Sequence, residues 1–339
     1  MEQQLFEQIQ LLREQYPDLV VVIYGPTATG KSWLSLRLAD IFERNSESSL
    51  EWKEKVEIIS ADSRQVYRYM DIGTDKISPA DRKKVHHYSI DIINPDEEYT
   101  AHQRQQDTKK NTTDIIQRWN IPMIVGGTGL YIDTIYKNFN LPQDVKANRE
   151  RRTELDSLEQ QHPWYCRDTL NNIDPETAAE FHPKNIRYIQ RAIEIYEQTG
   201  IPKSILVAEQ PVEHPLLMIS LTRDLDIANT MIHKRVEEMI ERWLVAEVKW
   251  LLQRGYSPNL QSMNGIGYRQ TVEILNDEWW LLNDSLIQNS KSKIQNLIDS
   301  ITLASVQYAK RQRTRFRRYT KDSLENPKDN VYYIEIKMD

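Results

Sequence analysis

The order of apolar patterns predicts an α/β fold, a parallel sheet flanked by helices, with an inserted helical domain. Two observations carry this. Short β-branched apolar runs recur at 19–24 (LVVVIY), 56–61 (VEIISA) and 121–127 (IPMIVGG), the lengths of buried parallel strands. Between them the pattern turns helical: Leu34, Leu36, Leu38, Ala39, Ile41 and Phe42 follow the first run, and 101–119 separates the second from the third. Such alternation joins parallel strands through crossover helices.

In chain order, the opening segment MEQQLFEQIQLLREQYPD is charged and helix-patterned, unlike a signal peptide. Gly25 ends the first strand and a helix begins at Lys31; RNSESSLEWKEK, 44–55, reads as a loop. The sheet signal fades after about Leu141, and 148–200 is charged and poor in β-branched clusters, so a boundary falls near Asn140-Leu141-Pro142. PLLMISL at 215–221 reads as a further strand, returning the chain to the sheet. Hence 1–140 with 205–339 forms the core, and 141–204 the helical insertion. Helices are expected at about 225–253, 267–276 and 291–310.

Length and composition bound the function. The chain has 339 residues, 39% of them hydrophobic, enough for a sizeable core. Its one cysteine, Cys166, excludes an intrachain disulfide and fits a reducing compartment. No uncharged apolar run approaches the ~20 residues that span a bilayer. A cytoplasmic monomer without membrane attachment is the expectation. The net charge of −6 argues against a generally basic surface, yet 310–318, KRQRTRFRR, holds six basic residues in nine. A local basic patch on an acidic body still attracts an RNA backbone. Tyr308, Phe316 and Tyr319 are interleaved with it, which favours RNA over a merely solvated helix face.

The most specific motif is GPTATGKS at 25–32, a G-x-x-x-x-G-K-[ST] phosphate loop set between strand and helix. It makes the core a P-loop-type sheet. Gly25, Thr27, Ala28, Thr29 and Gly30 can close backbone N–H groups round a polyphosphate, with the helix N-terminus beyond. Lys31 adds a point charge, and the Ser32 hydroxyl suits Mg²⁺. The loop itself does not say which polyphosphate, and a nucleotide is the default.

Asp62 leaves the second strand at the rim that holds this loop, and Thr128 follows the third strand on the same rim. Asp62 can serve as a helix N-cap, as the magnesium carboxylate of a P-loop hydrolase, or as a catalytic group. Thr128 can cap the helix starting near Gly129, or reach a reacting centre. His86 and His87, adjacent on a strand, point to opposite faces and make poor metal co-ligands.

Taken in order, GPTATGKS, ISADSRQVYRYMDIGTDK, HHYSIDIINPDEEYTA and IPMIVGGTGLYI resemble the tRNA dimethylallyltransferase family. HPKNIRYIQRAIEIYEQTG resembles its insertion-domain signature; IHKRVEEM, NGIGYRQ and QYAKRQRTRFRR resemble its tRNA-contacting tail. Coverage runs from about residue 20 to 318. No cysteine-rich zinc finger follows, so the bacterial form fits best. The resemblance implies that the loop holds dimethylallyl diphosphate with Mg²⁺ and that no nucleoside triphosphate is consumed. The implied acceptor is the adenine 3′ of the anticodon, flipped out of the tRNA anticodon stem-loop. Asp62 is then the general base, Thr128 stands beside the reacting centre, and Arg223, in LTRD, matches a pyrophosphate arginine. Implied tRNA contacts are Asp62, Ser63, Arg64, Gln65 and Thr128, then Arg187 and Arg191 in the insertion. Gly267, Tyr268, Arg269 and Gln270 follow, with Lys310, Arg311 and Arg313 in the tail. The tail is expected to act on RNA at a distance from the phosphate loop.

The sequence departs from the family at Tyr188, where arginine is usual, at Trp243, where glycine is, at Arg315, where tryptophan is, and at Arg104, where an aromatic is. Rival readings are an adenylate isopentenyltransferase acting on free nucleotide, a small-molecule P-loop kinase, and a non-catalytic RNA-binding protein. The basic tail speaks against the first. Intact Lys31, Ser32 and Asp62 speak against the last.

Overall fold

The structure is a computed structural model that describes residues 1–46, 54–143, 145, 147–276 and 291–339. The expected loop at 44–55 lies largely outside the described residues, and Trp279-Trp280, which the sequence suggests as packing residues, lies wholly outside them. Among the described residues six parallel strands form one sheet: β1 Val20–Tyr24, β2 Val56–Ser60, β3 His87–Tyr88, β4 Ile121–Gly126, β5 Leu216–Arg223 and β6 Val331–Met338, in the order β3-β2-β4-β1-β5-β6. The expected strands at 19–24, 56–61, 121–127 and 215–221 are β1, β2, β4 and β5.

Helices α1 Glu2–Gln15, α2 Lys31–Ser46, α3 Pro79–Lys84, α4 Ala101–Gln117 and α5 Gly129–Tyr136 belong to the first half of the chain. β1, β2 and β4 are buried along their whole length, which explains their mostly apolar sequences; Glu57 in β2 is the charged exception and is paired with Arg118 at 3.0 Å. Leu5, Phe6 and Ile9 of α1 join Leu34, Leu38 and Phe42 of α2 in one core with Val21, Ile23, Met123 and Ile219. Phe6 and Phe42 meet edge to face at 4.7 Å.

Two compact units make up the described chain. The first comprises Met1–Thr100, Gln106–Ile132 and Val212–Asp339, with the whole sheet. The second comprises Ala101–Gln105 and Asp133–Pro211, a wider span than 141–204. It holds α6 Arg149–Gln161, α7 Tyr165–Ile173, α8 Pro175–Glu180, α9 Ile186–Thr199 and α10 Lys203–Leu206. Its core is Leu155, Cys166, Leu170, Ala178, Ile189, Ala192 and Ile193. Burial pushes the Cys166 thiol up to about 12, as befits a packing residue.

The C-terminal part carries α11 Leu225–Glu241, α12 Leu244–Gln253, α13 Tyr268–Asn276 and α14 Lys291–Glu325. Three sequence expectations change here. The helix expected at 225–253 is two helices, because Trp243 between them takes a left-handed φ of 73°. The helix expected to end near 310 runs on to Glu325, so the basic run lies inside it. β6 was not expected; it pairs with β5 from Leu216↔Val331 to Arg223↔Met338.

The resemblance implies glycine where Trp243 stands, and the left-handed φ of 73° is a conformation that favours glycine. A left-handed backbone costs a non-glycine residue roughly 1–2 kcal/mol. Trp243 is 54% exposed and returns little packing. Trp243→Gly is expected to raise stability by roughly 0.5–1 kcal/mol, after allowance for the extra unfolded-chain entropy of glycine. A thermal melt with a midpoint at or below wild type refutes the strain.

Candidate active site

The parallel register brings four strand ends to one rim. Tyr24 of β1 pairs with Gly126 of β4 and Ser220 of β5, and Ser60 of β2 pairs with Val125. The phosphate loop, Asp62, Thr128 and Arg223 follow or end these strands, so all four emerge together. Glycine is required for this convergence: a Cβ on Gly25 would strike the Leu221 carbonyl, and one on Gly126 would strike the Ala61 backbone.

The phosphate loop is braced from within and from β5 and α11. The Thr29 hydroxyl donates to the Pro26 carbonyl at 2.8 Å, and Lys31 Nζ to the same carbonyl at 2.6 Å. Ala28 and Gly30 hold φ of 63° and 86°, the turn that aims backbone N–H groups inward. Arg223 Nη1 donates to the Ala28 carbonyl at 3.0 Å, which places that guanidinium on the loop. Arg235 of α11 was not singled out in the sequence, yet its Nη1 donates to Thr27 Oγ1 at 2.8 Å. Asp75 pairs with Arg235 at 3.4 Å. Burial first, then the Arg235 charge, push the Lys31 ammonium down to about 8, against the opposing pull of Asp62 and Asp75. Ser32 is exposed at the start of α2.

Asp62 follows β2 in a tight turn. Its Oδ1 accepts the backbone N–H of Arg64 at 2.7 Å and of Gln65 at 3.4 Å. No helix starts here, so Asp62 is not the helix N-cap considered from the sequence; these bonds make a side-chain-closed turn that fixes the carboxylate. Thr128 Oγ1 accepts the Ser63 N–H at 3.1 Å, and the Thr128 N–H donates to the Ala61 carbonyl at 3.2 Å, so the turns after β2 and β4 are laced together. Tyr308 of α14 hydrogen-bonds the Thr128 side chain; burial and then the Asp62 charge raise its pKa. An aromatic read as an RNA contact thus stands beside the two catalytic candidates.

The rest of α14 docks on the same turns. Gln312 accepts the Thr27 N–H and donates to the Gly127 carbonyl, and the Arg315 side chain lies over Gly129. Phe316 and Tyr319, also read as RNA contacts, are 4% and 1% exposed and both meet Tyr24 at 5.3 Å. They anchor the helix to β1. The basic run is therefore not remote from the phosphate loop: one helix face carries the anchors, and Lys310, Arg311, Arg317 and Arg318 are exposed on the other.

With this geometry in hand, comparison with known proteins is direct. The model of the family described as IPP transferase matches residues 65–319. A tRNA dimethylallyltransferase of Thermotoga neapolitana is 38% identical over 300 residues, 88% of this chain and 90% of the relative. One of Pelotomaculum thermopropionicum is 36% identical over 308 residues, 90% of each chain. The chain belongs to the IPP transferase family. The full-length tRNA isopentenylpyrophosphate transferase of Bacillus halodurans aligns with a TM-score of 0.59 at 35% identity, covering 94% of this chain and 90% of its own. A structure of a eukaryotic dimethylallyltransferase acting on tRNA aligns with a TM-score of 0.68 at 27% identity, covering 94% and 73%.

Among the residues that an IPP transferase resemblance assigns to tRNA, the structure separates exposed groups from braces. Ser63, Arg64 and Gln65 sit half-buried beside Asp62. In the GYRQ motif only Arg269 is exposed. The Gly267 N–H donates to Gln270 Oε1 at 2.9 Å, and the buried Tyr268 hydroxyl donates to Glu247 at 2.6 Å. That carboxylate also accepts the N–H groups of Asp71 and Ile72, both at 2.9 Å, so the motif braces the turn after Asp62. In the second unit Arg187 is exposed, while Arg191 pairs with buried Glu194 at 3.2 Å and donates to the Val145 carbonyl at 2.7 Å. Tyr188 is exposed beside Phe181, and Arg104 is buried. Arg313 is half-buried, its pKa lowered by burial and then by Arg317.

Among the described residues, no helix is long and apolar enough to cross a membrane.

Proposed function

We propose that the protein transfers the dimethylallyl group of dimethylallyl diphosphate to N6 of the adenine 3′ of the anticodon in tRNA, releasing pyrophosphate. It acts as a monomer in the cytoplasm on the anticodon stem-loop. The observation that carries this is the convergence of Asp62, Thr128 and the phosphate loop at one rim, beneath a helix whose far face is basic.

In the reaction the N6–C1 bond forms as the C1–O bond breaks, and pyrophosphate keeps the electron pair. Asp62 takes the N6 proton, which raises the reactivity of a poor nucleophile. Its anchored Oδ1 holds the carboxylate in place for that step. Thr128, fixed by Ser63 and Tyr308, positions the acceptor base beside Asp62. Lys31, Arg223 and Arg235 bind the diphosphate and meet the charge that grows on its leaving oxygens.

Mg²⁺ fits this donor set. Among the described residues no group of three His, Cys, Asp or Glu side chains is arranged for a metal. The exposed Ser32 hydroxyl, together with substrate oxygens and water, is the kind of sparse site magnesium accepts. Bound there, the ion would neutralise part of the diphosphate charge.

The test is incubation with dimethylallyl diphosphate and unmodified tRNA, read by nucleoside mass spectrometry. One adenosine heavier by a single isoprene unit, next to the anticodon, is the expected product. Modified free AMP with untouched tRNA would favour the adenylate enzyme, and ATP-dependent phosphoryl transfer would favour the kinase.

The basic face makes a separate prediction. Arg311, Arg317 and Arg318 are exposed on α14, whereas half-buried Arg313 is partly committed to the fold. Replacing the three exposed arginines with alanine is expected to weaken tRNA binding and raise its KM. The slope of log affinity against log salt should fall by up to ~0.9 for each phosphate that an arginine no longer neutralises. tRNA titrations at several salt concentrations measure this; an unchanged slope would reduce the run to a solvated face.

A further inference from the structure

Gln312 lies in the middle of the basic run, yet it is only 6% exposed. Its Oε1 accepts the Thr27 N–H at 2.9 Å, and its Nε2 donates to the Gly127 carbonyl at 2.8 Å. The two partners belong to different working parts, the phosphate loop and the turn that carries Thr128. Thr27 is at the same time held through its hydroxyl by Arg235. A neutral amide donates and accepts at once in this way, which the arginines and lysine around it, donors only, cannot do. Gly127 leaves the room for it, since a Cβ there would collide with the Gln312 amide. The next residue back, Arg311, is exposed on the face offered to RNA. One turn of α14 therefore presents charge outward and a two-pronged clamp inward.

We propose that Gln312 is a positioning residue that couples RNA engagement on α14 to diphosphate binding in the phosphate loop. The inference rests on the tRNA-prenylating reading above. RNA that fixes α14 fixes Thr27 and Gly127 through one side chain, so the loop is already ordered when the diphosphate arrives. By linkage, the diphosphate tightens RNA by the same factor. Couplings of this kind typically reach about 5–150-fold.

The experiment measures the affinity of inorganic pyrophosphate with and without saturating unmodified anticodon stem-loop RNA. Wild type, Gln312→Leu and Gln312→Glu are compared. Gln312→Glu keeps size and acceptor but loses the donor to Gly127, and it guards against a folding failure of the leucine variant; thermal melts accompany both. The expected result is pyrophosphate binding at least about fivefold tighter with RNA in wild type, and a ratio near one in the variants. A purely structural role would lower both affinities and leave the ratio intact. A wild-type ratio of one, or an unchanged ratio in a folded variant, overturns the proposal. Nucleoside analysis of the wild-type reaction keeps the two readings apart. If tRNA is prenylated and no coupling is found, only the role of Gln312 fails.

Discussion

Asp62→Asn is expected to lower the single-turnover rate of prenyl transfer by about 10²–10⁴-fold, the range for a lost general base, with pyrophosphate affinity changed by no more than a few fold. Asparagine is the informative replacement because of how Asp62 is held. The bonds from Arg64 and Gln65 both go to Oδ1, an acceptor that asparagine keeps. The turn after β2 should survive, and with it the Ser63 bond to Thr128. What disappears is the ability to take a proton. If Asp62 served only to close this turn, the substitution would be nearly silent, since asparagine closes such turns as aspartate does. A variant within a few fold of wild type would thus return Asp62 to a structural role.

The sheet was legible where burial was complete. β1, β2 and β4 are covered on both faces, and β5 along most of its length, so their sequences are mostly apolar, broken only by buried Glu57 and Ser60 in β2 and by Ser220 and the end of β5. β6 was not legible: it is an edge strand with several half-exposed residues, among them Tyr332, Tyr333 and Ile336, and its short run VYYI is broken by exposed Glu335 and Lys337. The break at Trp243 was hidden because the residue there gives no glycine signal, although its backbone adopts a glycine conformation.

At the site, the groups on strand ends were legible because a parallel sheet gathers its C-terminal ends at one rim. The groups that arrive from elsewhere were not. Arg235 and Gln312 reach Thr27 across 208 and 285 residues, and no local pattern records such a contact. The density of charge in KRQRTRFRR also masked its phase. Gln312, Phe316 and Tyr319 fall at helical spacing on the buried face, while Arg311, Arg317 and Arg318 fall outside it. Two aromatics taken for RNA contacts are anchors for that reason.

Lys31→Ala is expected to lower kcat/KM for dimethylallyl diphosphate by about 10²–10³-fold, the usual cost of removing one preorganised group from developing oxyanion charge. The effect is large because Lys31 is half-buried in the loop, so its charge acts on the diphosphate with less screening than in open water. The same burial gives a pH signature. The free protein holds Lys31 at about 8, below the ordinary 10.5. The diphosphate binds the ammonium form, so affinity is full below about 8 and falls as pH rises through it, towards tenfold per unit. Bound diphosphate stabilises the ammonium, which raises its pKa in the complex and ends the fall at higher pH. Asp62→Asn removes a charge that supports the ammonium, so it should keep the fall but move it to lower pH, whereas Lys31→Ala should flatten it while leaving tRNA affinity without diphosphate little changed. Pyrophosphate titrations from about pH 7 to 10 decide the matter. A wild-type affinity constant across that range would mean that Lys31 either stays fully charged in the free protein or makes no contact with the diphosphate.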